Sequence, residues 1–97
     1  KNRDGLTALM MASAEGRADA VRFLAERSGE VNVKTKEGVT PLMIAALNGH
    51  YDAVEVLLQV GAKPNTKTRD GRTALGAALS GGHPEIAELL KSYGAKG

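Results

Sequence analysis

Apolar, small and polar positions recur along this chain at a fixed offset of 33 residues. The fullest copy of the pattern lies between Glu37 and Asn65. One offset in either direction finds its key residues again: Gly5, Gly38 and Gly71; Thr7, Thr40 and Thr73; Leu9, Leu42 and Leu75; Ala12, Ala45 and Ala78; Gly16, Gly49 and Gly82. Such a period marks one small structural unit repeated in tandem, because a unit of this size buries its apolar side only against its neighbours.

In the middle copy the elements follow from local chemistry. Thr40 offers a hydroxyl to the free amides of a helix start, and Pro41 stands where a missing N–H and a fixed φ cost nothing. A helix is predicted from Pro41, with Leu42, Ile44, Ala45 and Ala46 on its apolar side. Asn48-Gly49 ends it, since glycine enters the left-handed region without strain. A second helix runs from Tyr51 to about Val60, with Ala53, Val54, Leu57 and Leu58 on one side and Asp52, Glu55 and Gln59 turned away. Gly61 closes the pair, and Pro64-Asn65 to Gly71 reads as an extended loop or β-turn.

The outer copies follow the same plan. In the first, Asp4-Gly5 makes the turn, Thr7 caps, and a helix over Ala8 to Ala14 turns Leu9, Met11 and Ala12 inward. Gly16 ends that helix, and Ala20, Val21, Phe23 and Leu24 supply the buried stripe of the next. Met10 and Met11 are expected to be partly exposed packing residues. In the third copy the helix from Thr73 to Ser80 is poor in large side chains, with Gly76, Ala77 and Ala78 in succession. Pro84 opens its second helix, where Glu85 suits the positive end of the helix dipole and Ile86, Leu89 and Leu90 face inward.

This unit resembles the ankyrin repeat. Gly38, Thr40, Pro41, Leu42, Ala45, Ala46, Gly49, His50, Leu57, Leu58, Gly61, Ala62 and Asn65 stand as in that family's pattern, and the resemblance covers nearly the whole chain. Departures are local: Met10, Met43 and Gly76 occupy the usual histidine position, Ala8 and Ala74 replace the proline, and Ser28-Gly29 replaces Gly61-Ala62. The resemblance implies an all-α repeat fold, an ankyrin-repeat solenoid of stacked helix-turn-helix units with projecting β-turn fingers. Residues 1–97 are then expected to form one domain, with repeats at about 1–33, 34–66 and 67–97, as a fragment or C-terminal part of a longer repeat protein.

Composition narrows the function. Trp and Cys are absent, and Phe23, Tyr51 and Tyr93 are the aromatic residues, so the core is built of Ala, Leu, Val, Ile and Met. A domain of this length buries only ~60–65% of its unfolded-chain surface, which makes stacking compulsory. The lack of cysteine rules out a disulfide framework and thiol catalysis, and it fits a reducing compartment. No long apolar run or signal-like start supports membrane insertion or secretion, and an intracellular location, cytoplasmic or nuclear, is expected. The net charge of +2 is too small to indicate a nucleic-acid partner.

Candidate chemistry is thin. His50 and His83 occupy the same repeat position one layer apart, and two histidines without cysteine do not supply the four convergent ligands that zinc takes. A structural role is expected for both, with one ring nitrogen bonded to loop backbone. Thr7, Thr40 and Thr73 are explained as helix caps, and neither Ser28 nor Ser80 has a base beside it. Asp4, Glu37 and Asp70 recur one per turn, and the resemblance implies a spacing of ~10 Å between such turns, too far for paired-carboxylate chemistry. Ser80-Gly81-Gly82 lies between helices and lacks a following Lys-Ser/Thr, so it is not a phosphate loop. No catalytic residue, cofactor or metal is expected.

A recurrence of cations points elsewhere. Lys1, Lys34 and Lys67 stand 33 apart, as do Arg3, Lys36 and Arg69. Each turn thus carries two basic residues, which either pair with Asp4, Glu37 and Asp70 or form an attractive strip for an acidic segment. The neighbouring acids reduce the field and disfavour phosphate backbones. The resemblance puts recognition on the turns and the exposed side of the first helices. This makes Arg3, Leu6, Lys36, Val39, Leu47, Asn48, Arg69 and Arg72 the candidate partner-binding residues, with apolar members flanked by a charged rim. The expected function is a monomeric, non-catalytic protein–protein interaction module whose partner offers an acidic and partly apolar segment. The competing expectation is a structural or spacer segment of a larger repeat protein with no ligand of its own.

Overall fold

Threonine starts and glycine stops set the helix boundaries. Thr40 is extended and its Oγ1 accepts from the Met43 amide at 3.3 Å, while Pro41 takes the first helical position. Thr73 does the same for the Gly76 amide at 3.1 Å. The computed structural model describes residues 8–28 and 31–95, and these hold six helices: α1 (Ala8–Glu15), α2 (Ala18–Ser28), α3 (Pro41–Leu47), α4 (Tyr51–Gln59), α5 (Ala74–Ser80) and α6 (Pro84–Ser92). Thr7, the expected cap of α1, lies outside the described residues, as do Asp4 and Gly5.

Each first helix ends in the same backbone lock. After α3 the Gly49 amide donates to Ala46 O at 3.3 Å and the His50 amide to Ala45 O at 3.0 Å. This crossed pair satisfies carbonyls at a helix end and requires a left-handed residue between, here Gly49 at φ +78°. The pair recurs at Gly82 and His83 after α5, and at Gly16 and Arg17 after α1. The chain therefore reverses within a few residues and the second helix lies back against the first.

The three hairpins stack in chain order. First helices form one layer, with α1 on α3 and α3 on α5, and second helices form another, with α2 on α4 and α4 on α6. The first helices pack together more extensively than the second helices do. Val21, Ala25, Leu42, Ala45, Ala53, Val54, Leu57, Ala78, Ile86 and Leu90 make a continuous core between the two layers. Side-chain straps join successive hairpins. His50 Nε2 reaches Ala14 O at 3.0 Å and His83 Nε2 reaches Leu47 O at 3.2 Å, so each ring bonds the end of the preceding first helix. Asn32 donates to Gly61 O and accepts from the Lys63 amide, and Asn65 donates to Gly94 O. Buried Ser13 donates to Leu9 O within its own helix and is thereby satisfied.

Several expectations are corrected here. No β-strand is present among the described residues, so the connections are not projecting β-turn fingers. They are short loops closed locally: Thr35 N–H donates to Val39 O and accepts the Val39 amide on Oγ1, and Thr68 and Arg72 repeat both bonds 33 residues later. Two exchanged bonds close a turn but give no ladder for a strand to extend. In the first helices Leu9, Ala12, Leu42, Ala45 and Ala46 are buried as expected, but Met10 and Met43 take the inward places expected of Met11 and Ile44. Met10 and Met43 are buried, whereas Met11 is 53% exposed and Ile44 only partly covered. Positions i, i+1, i+3 and i+4 face the core, which puts Leu9, Met10, Ala12 and Ser13 inward and turns Met11 to the other side. Phe23 is 58% exposed instead of buried. Its equivalent in the middle layer, Val56, is covered on both sides, while the Phe23 ring lies under the Arg27 guanidinium at 5.3 Å. Where α4 meets Gly61, α2 has Ser28 and runs on to it, two residues further than the α4 pattern.

Candidate functional site

On the first-helix side, α3 and α5 do not fill the space between them. A groove of about 390 Å³ opens there, lined by Val39, Met43, Ile44 and Leu47 from the middle hairpin and its loop, and by Thr68, Gly71, Arg72, Thr73, Gly76, Ala77 and Ser80 from the third. Its walls are register mates. Val39 faces the position of Arg72, Met43 that of Gly76, Ile44 that of Ala77 and Leu47 that of Ser80, each pair 33 apart. In each pair the middle layer carries a large apolar residue and the third layer a small or polar one. In three of the four pairs the third-layer side chain is also the smaller one, which lowers the α5 side of the groove.

Candidate residues fall into three groups. Val39, Leu47 and Arg72 line the groove together. Leu47 is half exposed, whereas Val39 is partly buried and packs on the core, so it contributes to folding as well as to the groove wall. Lys36 and Arg69 lie on adjacent loops, joined by a bond from the Arg69 amide to Glu37 O at 2.8 Å. Their side chains are exposed and make no ion pair among the described residues. Asn48 stands apart, at the end of α3, with its amide nitrogen on Ala14 O at 3.1 Å. Arg3 and Leu6 lie outside the described residues.

Electrostatics around the groove is set by one small network. Thr68 donates its hydroxyl to Asp70, and this bond chiefly holds the Asp70 carboxyl below the usual carboxylate value; desolvation opposes it, and the backbone amide and Arg72 add lesser lowering effects. Arg72 bridges Asp70 at 3.4 Å with both groups well exposed, a pairing worth little by itself. Sequence reasoning overlooked Thr35 and Thr68, although their spacing of 33 was a sufficient signal. It also overlooked Gly76 and Ala77 as groove floor, having read them as a weakness of α5.

No metal-binding group of three or more His, Cys, Asp or Glu residues occurs among the described residues, and no described helix is long and apolar enough to cross a membrane. No curated protein matches the sequence. The family description "Ankyrin repeats (3 copies)" matches residues 1–68, and "Ankyrin repeats (many copies)" matches residues 49–90. Together with the stacked hairpins, the glycine-locked turns and the threonine caps, these matches show that the chain belongs to the ankyrin-repeat family, a non-catalytic scaffold whose fold mediates protein–protein interactions.

Proposed function

We propose that residues 1–97 act as one monomeric interaction domain of three repeats, docking a protein partner on the surface formed by the first helices and the loops before them. The partner offers a segment that is acidic and partly apolar. Val39 and Leu47 give the central contact, Lys36, Arg69 and Arg72 the charged rim, and Arg3, Leu6 and Asn48 extend the surface. The observation that supports this reading is the groove between α3 and α5, whose apolar wall of Val39, Ile44 and Leu47 stands beside Arg72, while Lys36 and Arg69 on the two neighbouring loops make no ion pair among the described residues. Rim charges act mainly on encounter, and central desolvated contacts hold the complex.

A retention experiment tests the proposal. The domain and a Lys36→Glu, Arg69→Glu variant are immobilised side by side and exposed to extract of the native cell. A protein held by the parent and lost from the variant is expected. Equal retention by both would remove the charged rim from the interface, and retention by neither would favour a spacer segment without a ligand.

A further inference from the structure

The groove carries a more specific reading, which rests on the proposed docking surface. We propose that the hollow between α3 and α5 is an anchor site for a single large apolar side chain, branched or aromatic, projecting from an acidic protein segment. Its volume of about 390 Å³ lies at the small end of the range of pockets that enclose a ligand, ~300–1,000 Å³. A flat helix face would give a partner only surface contact. Here Met43, Ile44 and Leu47 form one apolar wall, and the floor is low because α5 has Gly76 and Ala77 where α3 has Met43 and Ile44.

Nothing in the chain needs the glycine for its backbone. Gly76 sits within a helix, where glycine is less favourable than alanine, and it does not have a positive φ. A Cβ added there meets only Thr73 Oγ1, at 3.5 Å, an ordinary contact. Alanine would therefore fit at this position, and the glycine leaves the α5 side of the groove lower than the backbone requires. The charge around the space selects the neighbours of the anchor. Arg72 lines the groove, and Lys36 and Arg69 stand on the flanking loops without ion pairs among the described residues, while Asp70 is already engaged by Thr68 and Arg72. Carboxylates on either side of the anchor would meet Lys36 and Arg69 with no competing ion pair among the described residues, and would share Arg72 with Asp70.

The test uses three synthetic, end-blocked octapeptides against the ¹⁵N-labelled domain, followed by amide chemical shifts. One has a single central leucine among glutamates, one has alanine in its place, and one has leucine among lysines. The leucine–glutamate peptide is expected to shift the amides of Gly71, Gly76 and Ala77, and the other two to bind at least ~10-fold more weakly, as loss of a central anchor does. Giving α5 the residues of α3, Gly76→Met with Ala77→Ile, should reduce binding by a similar factor without lowering the melting temperature. Ser80→Leu, at an exposed position on the same wall, should do likewise if the double variant folds poorly. Equal binding of the leucine and alanine peptides, unchanged binding by the filled variants, or no shift at millimolar peptide overturns the anchor. Shifts around Val39 and Leu47 with equal affinities for all peptides leave the wider docking surface standing, whereas shifts confined to α2, α4 and α6 remove both.

Discussion

Leu57→Ala is expected to destabilise the domain by about 2–5 kcal/mol and to cost more than Leu90→Ala. Both leucines are fully buried, so loss of contact with water does not separate them. Their neighbours do. Leu57 belongs to α4, which packs on α2, α3 and α6, whereas α6 packs on α4 and α5. In a stacked array the stability is close to a sum of layer and interface contributions, and a cavity in the middle layer weakens two interfaces while one in the last layer weakens a single one. Urea melts of the two variants check the order. A larger loss for Leu90→Ala would mean that the last layer, or a contact beyond it, carries the core.

Gly49→Ala is expected to cost clearly more stability than Gly82→Ala, its matched control. Both glycines lie at nearly the same positive φ, +78° and +77°, so alanine meets the same backbone cost of about 1–2 kcal/mol at either site. The surroundings differ. A Cβ at Gly49 would fall 2.5 Å from His83 Cε1, while at Gly82 nothing lies within 4 Å. The ring must move off its bond to Leu47 O, which adds the ~1–3 kcal/mol typical of overpacking. In a His83→Ala background the excess should vanish, leaving the two substitutions equal. Equal costs in the parent would show that the ring is not seated firmly between the layers.

These two sites show what a repeat makes legible. Helix starts at Thr40 and Thr73, helix stops at Gly16, Gly49 and Gly82, and the inward sides of α4 and α6 could all be read, because capping and periodicity are local. One inward position in each of α1 and α3 could not. Met10 and Met11, or Met43 and Ile44, are equally apolar, and helices of seven or eight residues rich in alanine leave both options open until a neighbour is packed on one side. The connecting loops were misread as β-turn fingers for a similar reason. Turn residues at Asp70-Gly71 fix a reversal, but whether strands grow from it depends on bonds that Thr68 and Arg72 complete within the loop itself. His50 and His83 were recognisable as structural, yet their acceptors belong to another layer and appear only once the layers stack. The groove is a difference between layers, invisible in either one, although comparing side-chain size at positions 33 apart would have exposed it.

The most direct measurement of the docking surface is the binding kinetics of three variants towards a partner recovered from extract. Lys36→Glu with Arg69→Glu is expected mainly to slow association and to flatten its dependence on salt, because rim cations steer the encounter. Val39→Ala with Leu47→Ala is expected mainly to speed dissociation, with melting followed in parallel because Val39 also packs on the core. Glu55→Lys, on the opposite helix layer, should bind like the parent. Parent-like rates for both double variants, with binding lost in Glu55→Lys, would put the interface on the second helices and contradict the account.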